Sequence, residues 1–388
     1  MLALETILWL CLAVIAWEIL LFPALLRLLA RLRPQATVKA DIMPSVSFII
    51  TAHNEAARIK QKLANTQSLD YPAEQLEIIL ADDGSEDGTS EVARRFCERG
   101  LRVVRQEEWL GKTAAQNLAV SQACGEIVLF SDASAFYNAG AIRALVSCFA
   151  DPKVGCVTGR IALGEAAFGE ESDSAVASGL KGRLQYEQEV RRAQGEAFSL
   201  FGASGAIYAV RRALYQPLPP DQVSDLLLPL QLLEQGYRTV YEPEAVATLE
   251  RPVDAAGELQ RRSRIVLQCL RAMIYLKRLL VPWRAGTFVA AIAWYRLLRW
   301  LLPVFLIGLL ASNLALVAAG KHLYLWPLIA QGALYGVALL PRVFPASARV
   351  PALSLPFLFV WLNVAAVWAL VRLARGEKGV AWQSARGK

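Results

Sequence analysis

Acidic side chains follow two apolar, β-rich runs of this sequence. Asp82 and Asp83 come directly after Leu76–Leu80, and Asp132 ends a second such run. Open α/β sheets bind ligands beyond the carboxyl ends of their strands. Lys112 stands between the two acidic segments, at the start of a predicted helix whose first N–H groups favour anions. Two acidic strand ends and a lysine suit a site that holds Mg²⁺ or Mn²⁺ against a nucleotide diphosphate.

A polar segment also follows the first predicted strand. It contains Thr51, His53, Asn54 and Glu55, which could offer hydrogen-bonding groups to the same crevice. The same residues could equally cap the next helix. A plain acidic turn is likewise the alternative for Asp82 and Asp83, and a strand-end cap is the alternative for Asp132.

Two segments later in the chain are candidates for the second half of a site. Gly202, Ala203, Ser204 and Gly205 would let the backbone pass close to a bound molecule, although tight packing explains these small residues nearly as well. Asp225 begins an otherwise apolar helical run, where an aspartate can serve as a helix cap or as a general base. The presence of the other polar segments in the sequence favours the role of general base for Asp225.

The elements that must position these residues begin at residue 45, where short β-rich runs alternate with helical stretches. This alternation predicts an α/β domain with a mostly parallel, Rossmann-like sheet covered on both faces. The predicted strands are Ser45–Thr51, Leu76–Ala81, Leu101–Arg105, Ile127–Ser131 and Val154–Gly159, and the predicted helices are Glu55–Thr66, Thr89–Arg99, Thr113–Ala123 and Ala139–Phe149. The stretch 164–182, rich in Gly, Ser and Glu, predicts a loop or mobile insertion.

Long apolar runs flank this domain and exclude a purely soluble protein. The chain is 55% hydrophobic, and its mean hydropathy is +0.36. Four runs are each long enough to cross a bilayer core of about 30 Å as a helix. They are Ile7–Leu26, Trp300–Ala319, Leu323–Leu340 and Val350–Val371. Thr287–Tyr295 is a shorter apolar run that could add a further membrane element.

Basic residues lie beside these runs, which fits anionic lipid headgroups better than nucleic acid. Those that follow the first run place the N-terminus outside and the large middle region in the cytoplasm, because positive loops stay inside. Leu259–Leu280 is amphipathic and predicts a helix at the membrane surface. The scattered cysteines and two histidines show no metal-ligand spacing.

The ordered series of motifs resembles the membrane-integrated family 2 glycosyltransferases, which include polysaccharide synthases and ceramide glucosyltransferases. The match runs from about residue 45 to 280. Its motifs are Thr51–Glu55, Asp82-Asp83-Gly84-Ser85, Gly111-Lys112 with Asn117, Asp132, Gly202 to Ala206, Ser224-Asp225, and Arg261 with Arg264.

The resemblance implies a GT-A domain inserted between transmembrane helices, which binds a nucleotide-sugar, usually a UDP-sugar, with a divalent cation. It assigns Asp82 and Asp83 to the nucleotide, Lys112 to the diphosphate and Asp132 to the metal. Asp225 corresponds to the base, and Gly202 to Ala206 shape the acceptor site. Arg261 and Arg264 would lie near the diphosphate.

Three motifs depart from the family pattern. The Asp-x-Asp motif reads Asp132-Ala133-Ser134, the Thr-Glu-Asp motif reads Val223-Ser224-Asp225, and Gln-x-x-Arg-Trp ends in Arg264-Ile265. The last change removes the tryptophan expected to stack on an acceptor sugar, which weakens the prediction of processive synthesis.

The sequence therefore predicts an inverting enzyme that adds sugars to a growing polysaccharide, in the inner or plasma membrane with its catalytic domain cytoplasmic. The alternatives are transfer of one sugar to a ceramide-like or polyprenyl phosphate lipid, and a non-catalytic nucleotide-binding subunit; accessory or export subunits could join it. The predicted segments are an anchor (1–30), a GT-A domain (31–255), interface helices (256–298), transmembrane helices (299–372) and a basic tail (373–388).

Overall fold

The computed structural model of the chain describes residues 1–96, 100–165, 174–249, 255–282, 286–344 and 350–377. These residues form two compact units. One contains the described residues of 1–29, 174–190 and 255–377, and the other contains those of 30–165 and 191–249. The basic tail beyond residue 377 and the end of the helix predicted over Thr89–Arg99 lie outside the described residues.

The helices and strands are numbered in chain order. The helices are α1 Leu2–Ala16, α2 Phe22–Leu32, α3 Ala56–Gln67, α4 Thr89–Arg94, α5 Lys112–Ser121, α6 Ala141–Ser147, α7 Ser174–Ala197, α8 Ser224–Glu234, α9 Ala255–Tyr275, α10 Thr287–Ala318, α11 Leu325–Val343 and α12 Pro351–Ala374. The strands are β1 Val46–Ala52, β2 Leu76–Asp82, β3 Leu101–Arg105, β4 Ile127–Asp132, β5 Ala135–Tyr137, β6 Val154–Leu163, β7 Ile207–Arg211 and β8 Arg238–Leu249.

All eight strands form one sheet, in the order β3-β2-β1-β4-β7-β6-β8-β5. The first four strands in this order are mutually parallel, as predicted. In the other half, β7 runs antiparallel to both β4 and β6, and β5 runs antiparallel to β8. Strands β6 and β8 pair parallel to each other, so only β7 and β5 are reversed. The α/β class and the mostly parallel sheet are confirmed, and the two reversed strands give the sheet a mixed character.

The core of this unit lies around the parallel strands. Every residue of β1 is buried, which is typical of a central strand covered on both faces. Phe48 and Ile50 from β1, Leu80 from β2 and Leu129 from β4 belong to one continuous apolar cluster. Because these strands are held from both sides, their carboxyl ends form a rigid edge for the polar residues that follow them.

The prediction of a loop over 164–182 is wrong from Ser174 onward, where α7 begins. Gly179 and Gly182 of α7 face side chains of α12, so they serve helix packing rather than turns. A Cβ on Gly179 would lie 2.9 Å from the Leu358 Cβ of α12, so only glycine allows these two helices of the same unit to approach so closely. An i,i+4 ion pair between Arg183 and Glu187 also supports the helix.

Among the described residues, four helical segments are long and apolar enough to cross a membrane, and they lie almost entirely in the other unit. They are Leu2–Leu32, Val289–Ala318, His322–Val343 and Leu353–Ala374. The four predicted runs are thus found, each with somewhat different bounds. Thr287–Tyr295 is continuous with the second span in α10, and therefore is not a separate element. The amphipathic run is helical as α9, followed by a 3₁₀ turn at Lys277–Leu280.

The first of these segments contains a π-helical turn at Trp17–Leu21, which joins α1 to α2. Glu18 lies in this turn and is only 4% exposed. Leu8 and Cys11 of α1 pack with Leu309 and Leu316 of α10 in an apolar cluster. A carboxylate in an apolar span is costly, which explains why Glu18 is turned away from the surface of this unit.

Candidate active site

Asp83 follows β2 and holds the loop that leads into α5. Its Oδ1 accepts hydrogen bonds from the backbone N–H groups of Leu110 at 3.1 Å and Gly111 at 3.0 Å. Its Oδ2 is buried and has no hydrogen-bond partner among the described residues. Burial raises the pKa of this carboxyl, while the Gly111 N–H opposes the rise. The unpaired oxygen can accept a hydrogen bond from a ligand N–H group.

Asp82, the neighbouring aspartate, is fully buried and turned into the fold. Its Oδ1 accepts a hydrogen bond from the Ser85 N–H at 2.9 Å, and its Oδ2 accepts one from the Ser90 hydroxyl. These contacts shape the Asp-Asp-Gly-Ser turn. Asp83 is equally buried, but unlike Asp82 it keeps one carboxylate oxygen without a hydrogen-bond partner among the described residues. The assignment of both residues to the nucleotide stays a prediction.

His53 lies behind Asp83 and is nearly buried. Its Nδ1 donates to the Asp83 carbonyl oxygen at 2.7 Å, and its ring stacks on Trp109 with centroids 4.9 Å apart. Trp109 itself is 41% exposed. His53 thus supports the backbone at Asp83 and the ring of Trp109, and sequence reasoning missed this tryptophan. A single aromatic residue within the polar run between Arg105 and Lys112 was the available signal.

The remaining residues of the first polar segment also serve mainly to fix the loops. Thr51 is fully buried, with its Oγ1 3.5 Å from the Gln116 Nε2. Asn54 has a positive φ of 54°, and its Oδ1 accepts a hydrogen bond from the Glu86 N–H at 2.9 Å. Glu55 precedes the first residue of α3, and burial raises the pKa of its carboxyl. Their assignment to the nucleotide stays a prediction.

Lys112 and Asp132 form the centre of the site. The Lys112 Nζ lies 2.5 Å from the Asp132 Oδ1 and donates to the Gly205 carbonyl oxygen at 3.0 Å. Both side chains are about one quarter exposed. Lys112 begins α5 and Asp132 ends β4, so the start of the helix that follows β3 meets the end of β4.

Asp225 approaches the same point from the other side. It lies in the first turn of α8, and its Oδ2 would be 2.5 Å from a Cβ on Gly205. Burial raises the pKa of Asp225, Lys112 opposes this rise, and the charge of Asp132 adds to it. A carboxylate with a raised pKa beside a lysine is well suited to take a proton from a hydroxyl group.

Gly205 is the open member of the small-residue segment, and the other three are buried. A Cβ on Gly205 would clash with Asp225 and would lie 3.3 Å from the Lys112 Nζ. A Cβ on Gly202 would meet only ordinary contacts, with Leu226 at 3.5 Å. Gly202, Ala203 and Ser204 therefore serve packing in this structure, while Gly205 keeps space open at the site.

One face of α5 positions the segment that leads to Asp225. The Thr113 hydroxyl donates to the Gln222 carbonyl oxygen at 2.7 Å, and Asn117 exchanges two hydrogen bonds with the backbone of Leu218. The Ser224 hydroxyl donates to the Gln116 Oε1 at 2.6 Å. The helix that carries Lys112 thereby also fixes the residue next to Asp225.

The oxygen ligands at this centre fit a divalent cation that is shared with a diphosphate. Asp132 offers its carboxylate, and Ser134 stands where the family pattern has a second aspartate. Within the described ranges no group of three His, Cys, Asp or Glu side chains could hold a metal alone. Mg²⁺ is commonly bound by one or two carboxylates together with substrate phosphates, so one carboxylate is chemically sufficient here.

Arg261 and Arg264 lie on α9, in the other unit. Arg261 donates to both carboxylate oxygens of Glu258, at 2.9 and 2.8 Å. Their assignment to the diphosphate stays a prediction.

An α/β sheet with acidic strand ends, a lysine at the start of a helix and a half-buried aspartate across a glycine turn is typical of GT-A glycosyltransferases. A solved mannosyltransferase, PcManGT from Pyrobaculum calidifontis in complex with GDP-Man and Mn²⁺, superposes with a TM-score of 0.70. It is 25% identical, and the match covers 95% of this chain and 99% of that one.

Residues 47–217 match the model of glycosyl transferase family 2. This region of the chain is thus similar to family 2 glycosyltransferases and has the GT-A fold, and the four apolar helices found among the described residues fit a membrane-associated form.

Two curated relatives are similar to this chain in sequence. Poly-beta-1,6-N-acetyl-D-glucosamine synthase of Staphylococcus aureus is 30% identical over 241 residues, which is 60% of this chain and 56% of the synthase. The glycosyltransferase AglE of Haloferax volcanii is 38% identical over 92 residues, 23% of this chain and 30% of AglE. This chain thus spans about half the length of the first relative and less than a third of the second.

Proposed function

We propose that this protein is an inverting membrane glycosyltransferase that moves a sugar from a nucleotide-sugar to a growing polysaccharide. The observation that carries the proposal is the convergence of Lys112, Asp132 and Asp225 on the Gly205 turn, within one unit. In this proposal Lys112 binds the diphosphate, Asp132 binds the metal and Asp225 is the base, and the three side chains lie close together. Asp83 extends this group toward the nucleotide.

In the proposed reaction the acceptor hydroxyl oxygen attacks the anomeric carbon while the bond from that carbon to the diphosphate oxygen breaks. Asp225 accepts the hydroxyl proton, and the nucleoside diphosphate leaves. The Lys112 ammonium lies where it would face the charge that grows on the leaving group. A divalent cation held by Asp132, Mg²⁺ or Mn²⁺, would supply Lewis-acid stabilisation of the same charge.

Two donors are to be compared. The resemblance of the motifs favours a UDP-sugar, whereas the solved mannosyltransferase is bound to GDP-Man. The Asp83 Oδ2 can accept an N–H from either base, so it does not discriminate between them. We retain the UDP-sugar as the first proposal and the GDP-sugar as the second.

Two acceptors are also to be compared. The Staphylococcus aureus relative is named a polysaccharide synthase, which favours a glycan acceptor. Ile265 stands where the family pattern has an acceptor-stacking tryptophan, and this favours a single transfer to a lipid such as a polyprenyl phosphate. Four apolar helices support a multi-pass location, for which we propose the inner or plasma membrane with the transferase domain in the cytoplasm.

The testing experiment supplies the full-length chain in lipid nanodiscs with labelled UDP- and GDP-sugars and Mn²⁺, Mg²⁺ or a chelator. Transfer of label to a polymer ladder supports the first proposal. A single product extractable into organic solvent supports the lipid acceptor instead. Tight nucleotide binding without transfer to any acceptor would identify a non-catalytic subunit and refute the proposed enzyme activity.

Asp225→Asn tests the base directly. We expect the transfer rate to fall about 100- to 10,000-fold, because the amide cannot accept the proton. Nucleotide binding, measured by calorimetry, should stay within about twofold. Asp41→Asn is the matched control, since Asp41 is an exposed aspartate of the same unit. A rate for Asp225→Asn equal to that of this control would remove Asp225 from the mechanism.

A further inference from the structure

A lysine stands in the buried face of α3. That face is formed by Ile59, Lys62, Leu63 and Thr66, at the i, i+3, i+4, i+7 spacing of a core-facing helix. Lys62 is completely buried, and burial lowers the pKa of its amine to about 7. Its position in an apolar stripe is the sequence signal that could have identified it.

The contacts of Lys62 are few and specific. Its Nζ donates to the Ala135 carbonyl oxygen at 2.5 Å and lies over the Phe48 and Tyr137 rings, 5.1 and 4.4 Å from their centroids. In the described part of the chain no carboxylate lies within ion-pair distance of it. Burying an amine this way costs several kcal/mol, which a well-packed aliphatic side chain would avoid. A core role alone therefore does not account for a lysine here.

The acceptor of Lys62 belongs to β5, the short strand directly after the Asp132-Ala133-Ser134 turn. Asn65, one helical turn along the same face, completes the attachment. Its Nδ2 donates to the Tyr137 carbonyl oxygen at 2.9 Å, and its Oδ1 accepts from the Tyr137 N–H at 2.8 Å. Lys62 and Asn65 thus fix both ends of β5 to α3.

Tyr137 extends this attachment to the opposite side of the site. Its hydroxyl donates to the Ala206 carbonyl oxygen at 2.9 Å. Burial raises the pKa of Tyr137 well above its usual value, so the hydroxyl keeps the proton that it donates. Ala206 follows Gly205, whose carbonyl oxygen accepts from Lys112. One buried cluster therefore touches the Asp132 turn and the Gly205 turn together.

We propose that Lys62 is a positioning residue of the donor site, which through Ala135 and Tyr137 sets the distance between the Asp132 carboxylate and the Gly205 turn. It contacts neither the metal nor the nucleotide. This inference rests on the proposed function, because it takes Asp132 and Lys112 to receive the cation and the diphosphate. Replacing a residue that orients a metal ligand typically lowers the metal affinity 10- to 100-fold.

The test uses Lys62→Met, which keeps the length of the side chain but removes the donor group. Lys60→Met is the matched control, because Lys60 is exposed on the same helix. Calorimetry measures binding of UDP and of GDP with Mn²⁺, and steady-state kinetics separates KM for the donor from kcat. We expect Lys62→Met to raise the Mn²⁺ concentration for half-saturation and the donor KM about tenfold, with kcat at saturation changed less than about threefold.

Two further variants keep the test decisive if Lys62→Met folds poorly. Lys62→Gln retains an N–H donor and should recover at least half of the lost affinity. Asn65→Ala removes the neighbouring attachment and should weaken nucleotide binding in the same direction, about threefold. Equal Mn²⁺ and nucleotide affinity in folded Lys62→Met and wild-type protein, or no recovery by Lys62→Gln, would overturn the proposal. A wild-type chain that binds neither nucleotide would instead refute the proposed function.

Discussion

The absence of a side chain at Gly205 determines how closely this turn approaches Asp225 in the first turn of α8. A methyl group there would lie 2.5 Å from the Asp225 Oδ2, below any normal contact distance. We expect Gly205→Ala to reduce the transfer rate at least 100-fold, because either Asp225 or the turn must move. Circular dichroism should show an unchanged fold, since Gly205 lies in a turn and not in the core.

Gly202→Ala is the matched control for this substitution. Its new methyl group would find ordinary contact distances, so we expect the rate to remain within about threefold of wild type. An equal loss of rate in both variants would show that the whole segment is sensitive to added volume. The special role of Gly205 would then be wrong.

The raised pKa of Asp225 predicts the acid side of the rate profile. A base acts only as the carboxylate, so kcat/KM should fall tenfold per pH unit once the pH drops below this pKa. Because burial raises the pKa, the midpoint should lie above 3.8, the ordinary value for aspartate. A pH series of initial rates at fixed donor and Mn²⁺ measures it. A midpoint at or below 3.8 would contradict the burial of this group.

Sequence reasoning found the residues that meet at this centre, since Lys112, Asp132, Asp225 and Gly205 all came from its motifs. It could not distinguish Asp82 from Asp83. Adjacent residues at the end of a strand point to opposite sides, and which one faces the cleft depends on the register of the sheet. Lys62 was missed because an isolated lysine in a helix ordinarily predicts a solvated surface.

At the level of elements, helix α5 contributes further contacts to the site besides those of Lys112. Asn117 bonds the Leu218 backbone twice, and its Oδ1 also accepts from the Tyr215 hydroxyl at 2.8 Å. We expect Asn117→Ala to lower the free energy of unfolding by about 1–3 kcal/mol, because it leaves partly buried groups unpaired. The melting temperature in nanodiscs measures this effect. The transfer rate should also fall severalfold as the segment before Asp225 loosens.

Ser121→Ala provides the comparison on the same helix. Its hydroxyl is exposed and bonds only the carbonyl oxygen of Leu118 among the described residues, so we expect a change below about 0.5 kcal/mol. A similar melting temperature for both variants would mean that the Asn117 contacts contribute little to holding the segment.

Element prediction succeeded where the pattern is local and failed where tertiary packing decides. The strands of the parallel half were located to within one or two residues, because their apolar runs are bounded by turn residues. The start of α7 was missed, since Gly179 indicates a loop in sequence but serves close packing against Leu358. The reversed strands β5 and β7 were missed as well, because pairing between distant strands leaves no short-range signal.

At the scale of the whole molecule, Cys124 offers a test of orientation. It is the exposed thiol among the cysteines in the described ranges, while Cys11, Cys148, Cys156 and Cys269 are buried. In a background with Cys97→Ser, a membrane-impermeant maleimide should label inverted vesicles and leave intact spheroplasts unlabelled, because we place this unit in the cytoplasm.

Adding Cys124→Ser to this background should abolish the labelling of inverted vesicles. Labelling of intact spheroplasts at Cys124 would place the transferase domain on the outer side of the membrane. The proposal that the enzyme uses a cytoplasmic nucleotide-sugar would then be wrong as well.

The sheet changes direction between β4 and β7, and the reacting groups lie on either side of this seam. Asp83 follows β2, Asp132 ends β4 and Lys112 begins α5, whereas Gly205 precedes β7 and Asp225 lies in the first turn of α8. Hydrogen bonds from Lys112 to Gly205 and from Tyr137 to Ala206 cross this seam. A change in the loops on one side is therefore transmitted to the other, so under the proposed function donor preference and acceptor preference would change together.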